Sequence, residues 1–561
     1  MFPTNFLVGV SVLLMACVPC HGQTTYFVRA DGGSTTQCTG TFDAPYPGFG
    51  VGQPCAWDHP FRALPPGGSP VINGGDTLVV AAGDYRMGYG APGDDGCEQA
   101  WSWDCHMPPV PSGLDSAHRT RILGQGWSTG CVDAPQLWGA ERPWFILNLS
   151  GSEHVEVACL EITDRSSCIE SHVDGQTRCE RNEPPFGPWA PIGVHAEDST
   201  DVVLRDLDVH GLAAIGIHAA RLQDWTLEDV RVAGNGWAGW DGDLWDGGGD
   251  ANTGELVFRR VEVVDNGCAE DPDSGFTIRA TCWGQQSGGY GDGFAAGSSG
   301  GHWLFEDCVV RHNTSDGVDL LYLEPSASVD VIRLRAEGNA GNQLKVSSDV
   351  SIVNSQIVGN CAFFEDLPHF QGAAAGDNCR AAGNAVAFNL HPGTAAEISS
   401  TTVAGQGDCL LEVACESGGC DGTEQVLVRN VLFSGATDWY QPWELTCLYW
   451  YDDQSLPFDP VDFDFNLVWQ TKGDPCPGVS SVCEQNPLLV NGDVDFFDGH
   501  LMPTSPAVDA GTANGAPPRD LDGNERDDQP DIGAFEGTGY VFADGFEDGH
   551  HDRWSWATPS S

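Results

Sequence analysis

Positive charge is the scarcest feature of this sequence. The chain has 25 Lys and Arg residues against 80 Asp and Glu residues, which gives a formal net charge of −55. A protein that binds nucleic acid needs a basic surface to neutralise phosphates, so this composition excludes nucleic acid as an expected partner. The same negative charge repels an anionic glycan unless a metal ion or local Lys and Arg groups offset it.

Lysine is rarer than this total suggests, because only Lys345 and Lys472 are lysines and the other 23 basic residues are arginines. Arginine keeps its proton at ordinary pH, whereas lysine can lose its proton where the surroundings lower its pKa. A lysine in this chain is therefore a candidate for proton transfer, with a surface ion pair as the alternative.

Long apolar runs are absent beyond residue 22. Residues 6–18 are apolar but too few to span a bilayer comfortably, and they predict a signal peptide over residues 1–22. The Leu-Met-Ala-Cys segment that ends at Cys17 also resembles a lipoprotein signal, so a lipid anchor on Cys17 stays open. We expect a secreted, extracellular monomer without a membrane span, either free or associated with the outer membrane or cell surface.

Most cysteines occur as close pairs around polar loops. Cleavage after Gly22 leaves 19 of the 21 cysteines, an odd number, so at least one thiol is expected to be free. In an exported chain such pairs predict local disulfides, and the lack of a Cys-x-x-Cys pair beyond residue 22 disfavours a zinc site. Paired by proximity, the predicted disulfides are Cys38–Cys55, Cys97–Cys105, Cys168–Cys179, Cys268–Cys282, Cys361–Cys379, Cys415–Cys420 and Cys476–Cys483.

A strand pattern with period two, and no helical period, repeats through the chain. Eight copies lie at residues 155–162, 202–209, 225–232, 256–263, 303–310, 329–336, 350–357 and 426–433. An asparagine that can bond its equivalent one coil above follows at Asn235, Asn266, Asn313, Asn339 and Asn360, in steps of 31, 47, 26 and 21 residues. Repeats at this spacing predict a solenoid. We therefore predict an all-β fold, a right-handed parallel β-helix with loop insertions and an N-terminal cap.

Composition divides the chain into five segments. We predict a signal peptide over residues 1–22, followed by an N-terminal cap, a first coil and a Cys/Trp-rich insertion over residues 23–118. The parallel β-helix coils then occupy residues 119–440, where the repeat is strongest. Late coils and a C-terminal cap follow over residues 441–536, and a C-terminal tail over residues 537–561.

Three aspartates and one lysine recur at coil spacing. Asp316 and Asp319 lie 24 and 27 residues after Asp292, and Lys345 lies 26 residues after Asp319. If a coil takes about 24–26 residues and rises about 4.8 Å, Asp292, Asp316 and Asn342 stack on one line. On the same basis Asp319 and Lys345 stack on a second line beside it. The spacing predicts three carboxylates and one amine within about two coil rises, with a surface pair of Lys345 and Asp319 as the alternative.

The stretch around these residues resembles the family-nine pectate lyases. It carries Asp292 in Gly-Asp-Gly, then Ser-Asp-Gly-Val-Asp ending at Asp319, then Gly-Asn-Gln-Leu-Lys ending at Lys345. The resemblance implies that Asp292, Asp316 and Asp319 are Ca²⁺ ligands and that Lys345 is a general base. Ser315 stands where that family has the first Asp of a pair, which removes one ligand charge.

The activity that the resemblance implies is β-elimination at a uronate. A base removes the proton α to the uronate carboxylate, and a cation stabilises the charge that develops. Ca²⁺ suits this role because it binds several oxygens with flexible geometry. Lysine must be neutral to act as the base, which favours an alkaline optimum or a lowered pKa.

Further residues are candidates for substrate binding. A Gly- and Asp-rich loop carries three tryptophans whose faces can stack on sugar rings, although such a cluster can also pack its own loop. Arg311 is a candidate clamp for a second carboxylate. The predicted substrate-binding residues are Trp237, Trp240, Trp245, Arg311 and Asn342.

A second cation site is predicted near the C-terminus. Asp520, Asp522 and Asn524 present oxygens at alternating positions, as in a small Ca²⁺ loop.

Two other functions stay open at this point. A secreted β-helix can act as a non-catalytic glycan-binding or adhesin-like surface protein, since fold does not fix function. A glycoside hydrolase with paired carboxylates, such as Asp292 and Asp316, is the other, although the signatures of the polygalacturonases are missing.

Overall fold

The computed structural model describes residues 23–170, 179, 181, 183–244, 246–271, 277–282, 291–364, 383–416, 419–437 and 443–537. Within these ranges the chain forms 37 β-strands and four 3₁₀ helices, Pro60–Arg62, Gln99–Asp104, Cys361–Phe364 and Val494–Phe496. None of the described helices has the length and apolarity needed to cross a bilayer. The predicted signal peptide with Cys17, and residues 538–561 of the predicted tail, lie outside the described residues.

The strands follow one another through the whole described chain. The first sixteen are β1 (Thr25–Gly33), β2 (Thr77–Val80), β3 (Asp84–Met87), β4 (Thr120–Gly124), β5 (Gln136–Gly139), β6 (Phe145–Asn148), β7 (Glu153–Asp164), β8 (Ile192–Glu197), β9 (Thr200–His210), β10 (Ile215–Ala220), β11 (Gln223–Ala233), β12 (Ala238–Gly242), β13 (Thr253–Arg259), β14 (Glu262–Val264), β15 (Cys268–Asp271) and β16 (Thr277–Cys282). The next eleven are β17 (Phe294–Ala296), β18 (His302–Glu306), β19 (Val309–Arg311), β20 (Val318–Leu320), β21 (Ser328–Ile332), β22 (Arg335–Glu337), β23 (Leu344–Val346), β24 (Asp349–Val353), β25 (Gln356–Gly359), β26 (Val386–Leu390) and β27 (Ala395–Ser399). The last ten are β28 (Thr402–Gly405), β29 (Cys409–Cys415), β30 (Gln425–Arg429), β31 (Leu432–Gly435), β32 (Cys447–Tyr451), β33 (Val461–Asp464), β34 (Leu467–Trp469), β35 (Val482–Cys483), β36 (Leu489–Asn491) and β37 (Asp498–Leu501).

Two parallel sheets hold most of these strands. The large sheet has 23 strands, and the small sheet has ten strands in the order β6, β8, β10, β12, β17, β20, β23, β26, β29, β32. Equivalent strands of successive coils pair in parallel, as β18 pairs with β21, β19 with β22 and β20 with β23. The chain is therefore a right-handed parallel β-helix, as the sequence predicts. Coil strands run from β1 to β35, so the coils begin before residue 119 and continue beyond residue 440.

A left-handed residue bends each coil within the large sheet. Such residues have φ between 46° and 58° and separate two strand segments of one coil, as Asp307 separates β18 from β19. They are Cys159, Asp206, Asp229, Arg260, Asp307, Arg333, Asn354, Ser400, Asn430 and Phe465. Asp and Asn tolerate this conformation because their short polar side chains can hydrogen-bond locally.

A buried asparagine ladder marks the corner where the chain passes from the large sheet to the small one. Asn235 Nδ2 donates to Asn266 Oδ1 at 2.9 Å, and the pattern continues from Asn266 to Asn313 at 2.9 Å and from Asn313 to Asn339 at 2.8 Å. The next acceptor is not Asn360, so that part of the predicted ladder is wrong. Asn360 donates instead to Asp495 Oδ1 in the C-terminal segment, at 2.8 Å.

The interior of the solenoid is one continuous apolar core. It extends from Val28 in β1 to Val468 in β34 and includes the fully buried rings of Trp225 and Trp303. Phe61 and Leu64, in and just after the first 3₁₀ helix, belong to the same core at the N-terminal end. Because an open coil end exposes core and strand edges, a cap at this end stays a prediction for these residues.

The C-terminal segment is a brace along the side of the large sheet and not an end cap. After β35 the antiparallel pair β36–β37 is followed by residues 502–537, which return along earlier coils. Arg335 donates to Asp522, Arg526 to Asn354, Ala534 N to Thr402 Oγ1 and Asn430 Nδ2 to the Thr512 carbonyl. These four anchor points, next to β22, β25, β28 and β31, lie on four successive coils.

The disulfides follow the predicted pattern closely. Six of the predicted pairs are present, while Cys379 of the seventh lies outside the described residues. Cys131–Cys159 and Cys409–Cys447 were not predicted, because 28 and 38 residues separate their cysteines. Cys308 is a buried free thiol. Disulfides persist in oxidising compartments, so this set is compatible with an extracellular protein.

A hairpin insertion is fastened to the coils by a buried ion cluster. The hairpin β15–β16 is closed by the Cys268–Cys282 disulfide and carries Glu270. Glu270 Oε2 lies 2.7 Å from Nδ1 of His210, whose Nε2 lies 3.1 Å from Glu161 Oε1. Burial lowers the pKa of His210, but the two carboxylates outweigh burial and raise that pKa to about 10.

Candidate active site

One residue from each strand of the small sheet lies in a single outward-facing column. Within a strand its neighbours point into the core, as Val318 and Leu320 do on either side of Asp319. We call these ten residues the outer column. In sheet order they are Asn148, His195, His218, Asp241, Ala295, Asp319, Lys345, Ala387, Glu412 and Trp450.

The predicted pair of Asp319 and Lys345 occupies the middle of the outer column. The two residues are directly paired in the register of β20 and β23. Lys345 Nζ lies 3.2 Å from Asp319 Oδ2 and 3.3 Å from Asp316 Oδ2. The side chains of Lys345 and Asp319 are each 13% exposed, whereas that of Asp316 is fully buried. The ammonium group is therefore held between two carboxylates at the surface of the small sheet.

A second line of polar residues runs beside the outer column, where the coil turns into the small sheet. Asp292 Oδ1 accepts the backbone N–H of Asp316 at 2.9 Å, and Asp316 Oδ1 accepts the N–H of Asn342 at 2.6 Å. Asn342 Oδ1 accepts the N–H of Asn384 at 3.1 Å, and Asn384 Oδ1 accepts that of Cys409 at 3.1 Å. We call Asp292, Asp316, Asn342 and Asn384 the corner line. The stacking of Asp292, Asp316 and Asn342 agrees with the prediction from spacing.

The corner line shows that the fold needs an acceptor oxygen at each step but not a charge. Asn342 and Asn384 satisfy the next backbone amide with a neutral side chain. Asp292 and Asp316 make the same contact with a carboxylate, although both are 0% exposed and a buried charge is costly unless it is paired. The second oxygen of Asp316 has such a partner in Lys345. The negative charge at position 316 therefore pairs with Lys345, whereas the coil backbone needs only an acceptor oxygen there.

Electrostatics fixes the protonation of this cluster. Burial lowers the pKa of Lys345, but the carboxylates of Asp316 and Asp319 outweigh burial and the net shift is upward. Burial, followed by the nearby Asp316 charge, raises the pKa of Asp319, while Lys345 opposes this shift. Lys345 is therefore an ammonium ion in this arrangement, and it becomes a base only when the charge around it changes.

Two of the three predicted Ca²⁺ ligands, Asp316 and Asp319, lie together beside Lys345. Asp316 and Asp319 already present one oxygen each to a cation, the Lys345 ammonium, so their donor set fits a hard metal ion. Asp292 does not join them at close range. In the described part of the chain, the one set of three acidic, His or Cys side chains with ligand atoms within 4.8 Å of one another is Asp94, Cys97 and Cys105. Those two cysteines form a disulfide, so that set holds no metal.

Two departures from the pectate-lyase pattern have structural explanations. Gln343, where that family has Gly, ends the asparagine ladder, because its Oε1 accepts from Asn339 Nδ2 at 2.9 Å. Its Nε2 returns a bond to the Asn339 carbonyl at 2.9 Å. Ser315 is fully buried at the turn, where its N–H donates to the Gly291 carbonyl at 3.0 Å.

The predicted substrate-binding residues separate into different environments. Trp240 is a core residue, 2% exposed and stacked on Phe294, because strand alternation in β12 directs it inward. It is therefore not available to a glycan, and its predicted role is wrong. Trp237 is half-buried at the turn before β12, where its carbonyl accepts from Gly291 N next to Asp292. Trp245 lies outside the described residues.

Arg311 and Asn342 differ in a similar way. Arg311 belongs to β19 in the large sheet and is paired with Glu262 at 3.2 Å, so it does not share a face with Lys345. Asn342 is in the corner line, 8% exposed, and its Nδ2 donates to Asp316 Oδ1 at 3.0 Å. In this structure Asn342 therefore positions Asp316.

The predicted C-terminal metal loop uses its oxygens internally. Asp520 Oδ1 accepts the N–H groups of Asp522 at 3.0 Å and Asn524 at 2.7 Å, while its Oδ2 accepts that of Glu536 at 2.8 Å. Asp522 lies 3.1 Å from Arg335 and 2.7 Å from His500. These contacts give the loop a role in anchoring the brace, which differs from the predicted cation site.

Several residues near the site were missed by sequence reasoning. Glu412 and Trp450 extend the outer column beyond Lys345, and His195, His218 and Asp241 extend it in the other direction. Burial raises the pKa of Asp241 to about 7 and lowers that of His195 to about 4. The available signal was a single polar residue between apolar neighbours, such as Leu-Glu-Val around Glu412, which predicts an outward side chain.

Comparison with known proteins gives structural similarities only, since no family model and no curated protein matches the chain. A pectate lyase, Pel9A, has 13% identity over 92% of this chain and 96% of its own, with a TM-score of 0.42. An alginate lyase from a Paenibacillus species has 12% identity over 69% and 92% of the two chains, with a TM-score of 0.30. The A-module of the Azotobacter vinelandii mannuronan C-5 epimerase AlgE4 has 12% identity over 71% and 91%, with a TM-score of 0.27. At this level of identity the activity has to be inferred from the residues of the chain itself.

Proposed function

We propose that this protein is a polysaccharide lyase that cleaves a uronate-containing glycan by β-elimination, with Lys345 as the general base. One observation carries the proposal: Lys345 Nζ is held 3.2–3.3 Å from the carboxylates of Asp319 and Asp316 on the outer face of the small sheet. In a chain with two lysines, an ionisable amine therefore lies beside two carboxylates that can also bind a metal ion.

Each residue has a separate part in this chemistry. Asp316 and Asp319 would hold Ca²⁺, which when bound would supply positive charge to the uronate carboxylate. Asp292 and Asn342 orient Asp316 through the hydrogen bonds of the corner line. Lys345 takes the proton α to the carboxylate, and the electron pair of that C–H bond forms the new double bond as the glycosidic oxygen leaves.

Lys345 has to be neutral to accept this proton. The paired carboxylates now hold its pKa above the usual value, so the proposal requires that positive charge on Asp316 and Asp319 weakens that pairing. We expect activity to increase with pH in the alkaline range for the same reason.

The test is to incubate the protein with a panel of uronate polysaccharides, with Ca²⁺ and with chelator, and to follow the ultraviolet absorbance of unsaturated product. The expected result is absorbance that needs both Ca²⁺ and Lys345. Lys345→Met should reduce the rate by a factor of about 10²–10⁴, and Lys472→Met is the matched control. New reducing ends without absorbance would instead show hydrolysis.

Asp316→Asn gives a sharper variant, because the corner line shows that an asparagine makes the same backbone contact at this position in later coils. The variant should fold normally and lose most of its activity, since it removes a charge and keeps an acceptor. Full activity in Asp316→Asn would contradict the proposed role of this carboxylate.

Non-catalytic glycan binding is the second candidate, and one observation favours it. The raised pKa of Lys345 keeps the ammonium charged, which suits binding a glycan carboxylate better than accepting a proton. Binding without product at neutral and alkaline pH would support this function over the lyase.

A further inference from the structure

The charges along the outer column differ from those expected of a surface for a uniform polyanion. Lys345 is the one Lys or Arg among its ten residues. The nearest other charged positions beyond its Asp319 partner are Glu412, two coils in one direction, and Asp241, two coils beyond Asp319 in the other. Alanines, Ala387 and Ala295, stand between and place no functional group there.

Glu412 is held in place as an acceptor. It is half-buried between the core residues Leu411 and Val413 and points outward from β29. Asn384 Nδ2 donates to its Oε2, and this links Glu412 to the corner line. Burial raises the pKa of Glu412, which Lys345 opposes. An acidic group is therefore held on the outward side of the small sheet, one coil beyond Ala387. It has no basic partner among its neighbours in the outer column.

The next residue of the column has a different character. Trp450 is 48% exposed on β32 and lies directly beside Glu412 in the register. An exposed indole face binds sugar rings through their apolar faces and needs no charge on the sugar. Glu412 and Trp450 together suit a hydroxyl-rich, uncharged ring.

A glycan that lies along the solenoid axis meets these positions in turn. A pyranose ring is about as long as one coil rise of about 4.8 Å, so neighbouring sugars face neighbouring coils. If the uronate carboxylate is at Lys345, the second sugar in one direction faces Glu412 and the third sugar in the other direction faces Asp241. A uronate at either place would bring a second carboxylate toward an acidic side chain. Like charges at a binding surface oppose association.

Resting on the proposed function, we propose that the outer column selects a glycan in which the sugars that face Glu412 and Asp241 are uncharged. These sugars are the second from the uronate bound at Lys345 on one side and the third on the other. An uncharged sugar at these places is either a neutral sugar or an esterified uronate, and the two share the feature that matters here. This selection also reconciles a strongly acidic chain with a glycan that carries carboxylates.

The test measures binding and not turnover, so it is separate from the lyase test. Calorimetry in the presence of chelator measures the affinity of the protein for a galacturonan. The same polymer is used in three forms, which are unesterified, half-esterified and fully methyl-esterified. We expect the affinity to be highest for the half-esterified polymer, by about tenfold over the unesterified one. The fully esterified polymer should also bind weakly, because no carboxylate remains for Lys345.

Three substitutions test which residues of the outer column cause this preference. Glu412→Gln keeps an acceptor for Asn384 and should raise the affinity for the unesterified polymer about threefold to tenfold. Asp241→Asn should act in the same direction. Trp450→Ala should weaken binding of all forms about fivefold without changing their order.

The matched control is Glu397→Gln, which removes the same charge from β27 in the large sheet, away from the column. It should leave the order and the ratios unchanged. Affinity that falls steadily with esterification, or an unesterified-to-half-esterified ratio that neither Glu412→Gln nor Asp241→Asn changes, would overturn the proposal. A preserved preference without unsaturated product would reject the lyase and leave this inference standing.

Discussion

Lys345 and His210 are each held between two carboxylates, but in different parts of the fold. Lys345 lies between Asp316 and Asp319 on the outer face of the small sheet. His210 lies between Glu161 and Glu270, where the hairpin β15–β16 covers the large sheet. In both cases the carboxylates outweigh burial and raise the pKa of the cation.

The difference is in what surrounds each cluster. His210 joins a coil strand to an insertion, so its charges hold two parts of the chain together. Lys345 and Asp319 belong to neighbouring coil strands, so their ion pair joins no separate insertion to the coils. A charge cluster that joins no separate segment is the better candidate for chemistry.

The largest expected effect comes from Lys345→Arg. Arginine preserves the ion pairs with Asp316 and Asp319 but cannot give up its proton, so activity should fall by a factor of about 10²–10⁴. Thermal stability should be almost unchanged, and Lys472→Arg should affect neither property. Measurement of initial rates and melting temperatures checks this, and an active Lys345→Arg enzyme would rule out the base role.

His210→Ala should show the reverse behaviour. Removing one partner of a buried ion cluster leaves two carboxylates without their cation, and the expected loss is about 3–5 kcal/mol of unfolding free energy. The control is His302→Ala, because His302 also lies between two carboxylates, Glu255 and Asp330, but is 30% exposed. That change should cost about 0–1 kcal/mol. Denaturant unfolding of the two variants tests the contrast, and equal losses would contradict it.

A change of pH should affect the two clusters differently. The pKa of His210 is raised from 6.5 to about 10, so its contribution to stability is complete below pH 6.5 and is lost as the pH rises through about 10. The difference in melting temperature between the wild type and His210→Ala should therefore shrink over this range. Lyase activity with Ca²⁺ present should increase in the alkaline range, because positive charge at Asp316 and Asp319 would weaken the pairing that holds the Lys345 pKa above its usual value. A difference that stays constant with pH would show that His210 is not protonated in the folded protein.

The smallest predicted effect concerns metal binding. The Lys345 ammonium competes with a cation for Asp316 and Asp319, so Lys345→Met should increase the affinity for Ca²⁺ about tenfold. Lys345→Arg keeps the competing charge and should not. Calorimetric titration with Ca²⁺ distinguishes these variants, with Lys472→Met as the control, and an unchanged affinity in Lys345→Met would place the ion elsewhere.

The residues from Asp292 to Lys345 could be predicted because the coils there have nearly constant length. Coil steps of 24 and 26 residues turn sequence spacing directly into stacking, and the parallel register of β20 and β23 follows. Beyond Lys345 this rule fails. The next residue of the outer column is Ala387, 42 positions later, because an insertion lengthens that coil. Spacing alone could therefore not reach Glu412 or Trp450.

Other predictions are wrong because the sequence does not show whether a side chain points into the core or which partner it reaches. Trp240 was expected to bind substrate because it lies among Gly and Asp residues, but the alternation of β12 decides its direction. Asn360 fitted the ladder by spacing, whereas Gln343 takes its place through a longer side chain that reaches Asn339. The strand register, and which partner a side chain reaches, are set by the folded structure. Composition does not reveal either of them.

The C-terminal brace changes how such a solenoid comes apart. In a simple stack each coil contacts only its neighbours, and the end coil can unwind first. Here residues 502–537 are anchored to four coils that come much earlier in the chain, through Arg335, Asn354, Thr402 and Asn430. The late coils cannot peel away singly until this segment detaches from all four. Unravelling from that end thus becomes one concerted event with a high barrier, and the lifetime of the folded state depends on its rate.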